Sequence, residues 1–278
     1  MIRLAVRVDR ADAELVLAEL LELAPSGVEE RQLSETTVEY AVYGASGELP
    51  ALPDLQAAAG GSLVEIVTET VADDWDQRWK AFHKPITLDA GGRRMRVRPP
   101  WEEANDDASL LDLVIDPGQA FGTGAHATTR LCLELLLGVD PDGGCIDLGC
   151  GSGVLAIAAA KLGWAPVAGF DHEAESVEAT LGNAAANSVA VSAERFDLRG
   201  GGPVPSAELV LANLLRPILL DLCDAGFGGP PPRLLILSGL LTGEADEVAT
   251  RFVEAHGLTE IERRSSGEWS ALLLGPGL

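Results

Sequence analysis

The segment from Cys145 to Gly153, CIDLGCGSG, limits the possible folds of this chain more than any other. A short run of strand character leads into glycines at 149, 151 and 153, and an apolar helix-forming stretch, Val154–Leu162, follows at once. About twenty residues after the glycine turn comes a second strand, Val167–Phe170, ending in Asp171. Strand, glycine turn, helix and a second strand closed by an acid make a nucleotide-binding βαβ unit. The glycines let the backbone approach a ligand closely, and the acid can accept hydrogen bonds from both hydroxyls of a ribose.

The loop's spacing bears on which nucleotide it serves. A dinucleotide fingerprint needs G-x-G-x-x-G, and here Val154 occupies the place of the third glycine. A further acid, Asp147, sits near the end of the first strand, giving D-x-G-x-G-x-G. That pattern resembles the first motif of the class I S-adenosylmethionine methyltransferases, whose cofactor carries no pyrophosphate to cradle. A nicotinamide enzyme and a glycine turn that serves only helix–strand packing remain open on this segment alone.

Composition narrows the partners. Forty-three acids against 20 Lys and Arg give a net charge of −23, which repels phosphate backbones and disfavours free nucleic acid. The same surface suits a basic partner, or simply keeps the chain soluble. The four cysteines, Cys132, Cys145, Cys150 and Cys223, have no C-x-x-C spacing and no histidines completing a zinc pattern, so no metal is expected. They read as small buried hydrophobes in a reducing compartment. No apolar run reaches membrane-spanning length, and MIRLAVRVDR lacks a signal-peptide core. The expectation is a cytoplasmic protein without a membrane partner.

The N-terminal segment alternates, with Ile2, Leu4, Val6 and Val8 on one face and Arg3 and Arg7 on the other, which predicts a half-buried strand. An amphipathic helix over 11–24 stops at Pro25 and Gly27. Strands over 28–33 and 37–43, a short helix over 52–59 and a strand over 63–68 complete a βαββαβ order. This predicts a small ferredoxin-like α+β domain over 1–69, with substrate recognition as its role. A linker helix over 70–86 carries the stripe Trp75, Trp79 and Phe82, read as packing on a neighbouring domain, and ends at Pro85.

A second domain, 87–278, opens with a hairpin turning at 90–92 and an acidic loop over 102–109. Strands and helices then alternate from the strand 111–115 onward, predicting a doubly wound, mostly parallel α/β sheet of Rossmann-like form. The closing β-turn-β through 265–267 forces one antiparallel strand.

The chemistry-bearing segments are DPGQAFGTGAHATTR (116–130) and the turn after the strand 208–212. Gly118, Gly122 and Gly124 leave backbone exposed for close contact, and Thr128 and Thr129 can cap a helix or bind a ligand. Asn213 stands where doubly wound sheets bind ligands, beyond the carboxyl ends of their strands, although a plain turn residue is the alternative. Asn213-Leu214-Leu215-Arg216 has no aromatic to stack on a base, which favours an aliphatic amine over a flat base.

As a string, 116–130 resembles the loop before motif one of the PrmA-type ribosomal protein methyltransferases, which modify the stalk-base protein L11 of the large subunit. DWDQRWKAFHKPI (74–86), CIDLGCGSGVLAIAAAKLG, GFDHEAESVEATLGNAAAN (169–187), LANLL (211–215), SGLL (238–241) and EW (268–269) match the same family. The likeness is good over roughly residues 73–274; the first sixty-odd residues match in length and topology more than in letters.

The resemblance implies an S-adenosyl-L-methionine cofactor, held by Thr129, Gly149, Gly151, Asp171 and Asn213, with Gly124 and His126 lining the same pocket. It implies ribosomal protein L11, free or in an assembling large subunit, as partner. It also implies that the small domain presents this substrate, the linker allowing different poses. Asn213 is the expected amine-positioning residue. No clear general base stands out; His126 is the best titratable candidate.

Overall fold

A computed structural model describes residues 2–13, 16, 20, 28–34, 36–44, 63–70, 83–105, 107, 109–117, 126–200 and 202–276. The chain forms two compact units, Met1–Phe82 and His83–Leu278.

In the first unit, strands β1 (Ile2–Asp9), β2 (Glu29–Gln32), β3 (Thr37–Gly44) and β4 (Leu63–Thr70) form a sheet of order β2-β3-β1-β4, every pairing antiparallel. That is the ferredoxin-like order. The alternation read in the first strand is real: Leu4, Val6 and Val8 join Val38, Tyr40 and Val42 of β3 in one core. Ala13, Val16 and Leu20, helical and spaced by three and four, close that core. On the opposite face, Arg7 Nε donates to Glu39 at 2.8 Å, and Arg3 also pairs with Glu39. These bonds hold the buried Glu39 carboxyl below its usual range even though burial opposes that. The helix expected over 52–59, most of the helix over 11–24 and the linker helix up to Phe82 lie outside the described residues; residues 83–85 are not helical.

The second unit opens with a three-stranded sheet: β5 (Ile86–Ala90) and β6 (Arg93–Arg98) form the expected hairpin, and β7 (Leu110–Val114) pairs parallel to β6. The strand foreseen as the start of the main alternation therefore belongs to this small sheet.

The main sheet has seven strands. In chain order the elements are α1 (Ala127–Leu137), β8 (Cys145–Leu148), α2 (Val154–Leu162), β9 (Val167–Asp171), α3 (Ala174–Ala186), β10 (Ser192–Arg195), β11 (Leu209–Asn213), α4 (Arg216–Ala225), β12 (Leu234–Leu241), α5 (Ala245–His256), β13 (Leu258–Ser266) and β14 (Trp269–Pro276). The order across the sheet is β10-β9-β8-β11-β12-β14-β13. β14 is antiparallel to both neighbours and is the one reversed strand; β13, at an edge, has a register shift between Glu260 and Glu262.

The central strands are mostly apolar because both faces are covered. Leu209 and Leu211 enter one core with α1 and α2, whereas Val210 and Ala212 enter the other with α4 and α5. Leu234 and Ile236 of β12, against Leu235 and Leu237, divide in the same way. Parallel pairing of β8 with β9 and with β11 places their carboxyl ends along one rim.

Candidate functional site

The glycine turn begins where β8 ends. Gly149 has φ +74°, and a Cβ there would lie 2.5 Å from Cδ2 of Leu214. Gly153 has φ +80° at the N-cap of α2, and a Cβ would come within 3.0 Å of the Thr180 Cα. The left-handed conformation and close neighbours together require glycine at both positions. The backbone N–H groups of Gly149 and Cys150 donate to the Phe170 carbonyl at 2.7 and 3.1 Å, pinning the turn to the end of β9.

Asp171 is buried at that end. Its Oδ2 accepts from the Gly151 N–H at 3.0 Å and its Oδ1 from the Glu173 N–H at 3.1 Å. The second bond is an Asx-type turn that launches α3. A carboxylate has about four acceptor positions, so two such bonds fix its plane and leave capacity for hydroxyl donors.

Thr129 and Asn213, 84 residues apart in sequence, meet across the cleft. Asn213 Nδ2 donates to Thr129 Oγ1 at 3.3 Å. Thr129 lies buried in the first turn of α1, and Asn213 is the last residue of β11, in register with Ser238 of β12. The Ser238 hydroxyl donates to the Thr128 carbonyl at 3.1 Å and the Leu214 N–H to the Ser238 carbonyl at 3.0 Å. Ser238 thus holds the start of α1 and the turn after Asn213 together.

A cleft of about 240 Å³ joins these groups. Thr129, Gly149, Gly151, Asp171 and Asn213, all expected from the sequence, line it. His126 is not among its lining residues. It is exposed, caps α1 by accepting from the Thr128 N–H at 3.4 Å, and meets Trp269 edge-on at 5.1 Å. Gly124 lies outside the described residues.

Residues the sequence reading missed also line the cleft: Phe196 and Asp197 just after β10, Leu198, and Ile218 in α4. The available signal was an acid two residues beyond β10, at the same rim as Asp171. Asp197 brings a carboxylate to one end and its neighbours supply apolar walls, a combination that suits a flat heterocycle bearing an amino group.

Asp147 lies beneath the loop. It is fully buried; its Oδ2 accepts from the Ala156 N–H at 3.2 Å, and its Oδ1 has no hydrogen-bond partner among the described residues. Burial pushes this carboxyl up to about 7, with a smaller upward push from the charge of Asp171 and a countering effect of the Ala156 bond. All four cysteines are free and buried, and burial raises each thiol, Cys132 and Cys150 to about 12. They are inert thiols, as their apolar settings suggested. Among the described residues there is no metal-holding group of three or more His, Cys, Asp or Glu, and no helix is long and apolar enough to cross a membrane.

A seven-stranded sheet with one reversed strand, a glycine turn after β8 and an acid closing β9 beside it define a class I methyltransferase fold. Comparison with known proteins narrows this. The family model for ribosomal protein L11 methyltransferase (PrmA) matches residues 4–275. The ribosomal protein L11 methyltransferase of Pelotomaculum thermopropionicum is 38% identical over 216 residues, covering 76% of this chain and 69% of its own. That of Pseudomonas putida strain GB-1 is 38% identical over 210 residues, covering 74% and 70%. A crystal structure of ribosomal protein L11 methylase from Lactobacillus delbrueckii subsp. bulgaricus superposes with a TM-score of 0.58 at 29% identity, over 68% of this chain and 98% of that one. The chain belongs to the ribosomal protein L11 methyltransferase family.

Proposed function

We propose that this protein transfers methyl groups from S-adenosyl-L-methionine to amines of ribosomal protein L11, on lysine side chains or the N-terminal α-amine. The observation that carries the reading is the convergence of Asp171, the Gly149–Gly151 turn, Thr129 and Asn213 on one cleft in a chain of this family.

The cleft fits the cofactor by its own chemistry. Asp171, already oriented by two backbone N–H groups, has acceptor capacity for two ribose hydroxyls. At Gly149 a Cβ would run into Leu214, another lining residue, so glycine keeps that wall of the cleft open. Asp197 would accept from an amino group on the heterocycle, and Phe196 and Leu198 would supply apolar surface beside it. When bound, the cofactor supplies a methyl group activated by its sulfonium.

The protein's share is positioning, the largest effect available for a reaction of two preformed partners. Asn213 uses its NH₂ on Thr129, so its amide oxygen is the group that can accept from an incoming amine. Lysine of ordinary pKa about 10.4 is neutral in only roughly one molecule in 2,500 at pH 7. Desolvation in an apolar mouth lowers that pKa, and loss of the proton to water follows without a dedicated base. His126, exposed beside α1, and Gly124 belong in this reading to the segment that borders the cofactor. Residues 1–69 act as the substrate-presenting domain, 70–86 as its connection and 87–278 as the catalytic domain. The setting is the cytoplasm, and the acidic surface suits a basic protein substrate.

The test is incubation with methyl-labelled S-adenosylmethionine and a total large-subunit protein fraction, followed by mass spectrometry. Label on L11 is the expected result. Label on another protein, or none from an enzyme that binds the cofactor, overturns the substrate assignment.

A further inference from the structure

Helix α3 buries a polar stripe on the face turned to the glycine loop. Ser176, Thr180, Asn183 and Asn187 follow one another at spacings of four, three and four, the last at the helix C-cap, and all four are buried. That is the period of one helix face. Burying four polar side chains on a helix is costly unless each is bonded, and the bonds here have a pattern.

Thr180 Oγ1 donates to the Gly151 carbonyl at 3.0 Å. Asn183 Nδ2 donates to the Ser152 carbonyl at 2.9 Å, while its Oδ1 accepts from the Asp116 N–H at 2.9 Å. Asn187 treats Val114 as a strand partner would: Oδ1 accepts from its N–H at 2.9 Å and Nδ2 donates to its carbonyl at 2.6 Å. Asn183 alone of the four bridges two segments. One is the loop whose Gly151 N–H orients Asp171; the other is the exit of β7, from which the chain continues to the Thr129 end of α1.

We infer that Asn183 is a positioning residue for the cofactor site, which it serves by locking the carbonyl side of the glycine loop to the chain at Asp116. This role depends on S-adenosylmethionine occupying the cleft, as proposed. Thr180 on the Gly151 carbonyl and Asn183 on the Ser152 carbonyl fix the Gly151–Ser152 and Ser152–Gly153 peptide planes, while Asp171 holds the Gly151 N–H, so the turn is pinned on both sides of Gly151. Asn187 is buried to the same degree and its side chain makes three bonds, two to Val114 and one to the Asn183 carbonyl, but it does not touch the loop and therefore serves as the internal control.

The experiment compares Asn183→Ala, Asn187→Ala and Thr180→Val in the full-length chain. Cofactor affinity is measured by calorimetry with S-adenosylmethionine, thermal stability by melting, and kcat and KM by methyl transfer well below the melting temperature. Both asparagine variants should melt earlier. Only Asn183→Ala should weaken cofactor binding by about tenfold, as expected for loss of a buried bridging amide, with KM for the cofactor rising in parallel and kcat at saturation nearly kept. Thr180→Val, nearly isosteric, should raise Kd in the same direction by a smaller factor, and decides the matter if Asn183→Ala does not fold. Equal affinity in Asn183→Ala and the parent, or equal losses in Asn183→Ala and Asn187→Ala, overturns the inference; so does an unchanged Kd in Thr180→Val. A parent chain that does not bind S-adenosylmethionine would instead refute the cofactor assignment.

Discussion

Replacing Asp171 with alanine tests the cofactor site at its most charged contact. The carboxylate is buried and already holds two backbone N–H groups. Its remaining acceptor positions would take two ribose hydroxyls, each bond to a charged acceptor contributing about 1.5–3 kcal/mol. Removing both sets an upper range of about 3–6 kcal/mol, and water filling the space left by the carboxylate restores part of it. A floor of about 1.4 kcal/mol, a tenfold rise in Kd, is therefore expected. The Gly151 N–H also loses its acceptor, which adds to the loss by loosening the turn. Asp171→Asn, which keeps one acceptor oxygen and the shape but not the charge, should fall between parent and alanine variant. Calorimetric titration with S-adenosylmethionine on chains checked for folding by circular dichroism gives the numbers. A Kd for Asp171→Ala within about twofold of the parent, less than half a kcal/mol, would refute the ribose role.

Three further outcomes follow from other parts of the molecule. A chain lacking residues 1–82, cut where the two compact units divide, should bind S-adenosylmethionine as the parent does yet fail to methylate L11; full activity would remove the recognition role. Asp147 titrates near 7 when folded, because of burial, against about 4 when unfolded. The folded state therefore holds this proton more tightly, and its contribution to stability is fully present below about pH 4 and lost as pH rises through about 7. Asp147→Asn should flatten that decline in urea titrations run across this window, and an unchanged slope would sink the assignment. Gly153→Ala should lose at least about 1–2 kcal/mol in the same titrations, since alanine must adopt a left-handed backbone and meet Thr180 as well.

The nucleotide unit was readable because its signals are local: glycine spacing, a strand on each side and an acid at a set distance. Asp171, Gly149 and Gly151, which line the cleft, could be singled out before any tertiary contact was known. The pairing of Asn213 with Thr129 was not visible in the same way, since it depends on β11 lying beside β8 and on Ser238 tying β12 to α1. The resemblance supplied both residues without the bond between them. β7 looks like any strand of an alternating α/β chain, and nothing in LLDLV states that its neighbour is the hairpin strand β6. The stripe on α3 was hidden for another reason. Thr180, Asn183 and Asn187 carry the helical period, but polar residues at that period read as a solvated face, and only the sheet's geometry turns them inward.

The seven-stranded sheet ends in two strands that refuse further partners. β10 is four residues long and mostly exposed, with charged side chains at Glu194 and Arg195. β13 is longer, but Glu260, Glu262, Arg263 and Arg264 line it, and the irregularity between Glu260 and Glu262 breaks the regular row of backbone groups. Short length, charge and a bulge are the devices that stop one sheet from extending into the next molecule. Strands as apolar as β11 and β12 are prone to pair with one another between chains during folding. These two margins offer a second copy of the sheet no long, regular apolar edge to pair with.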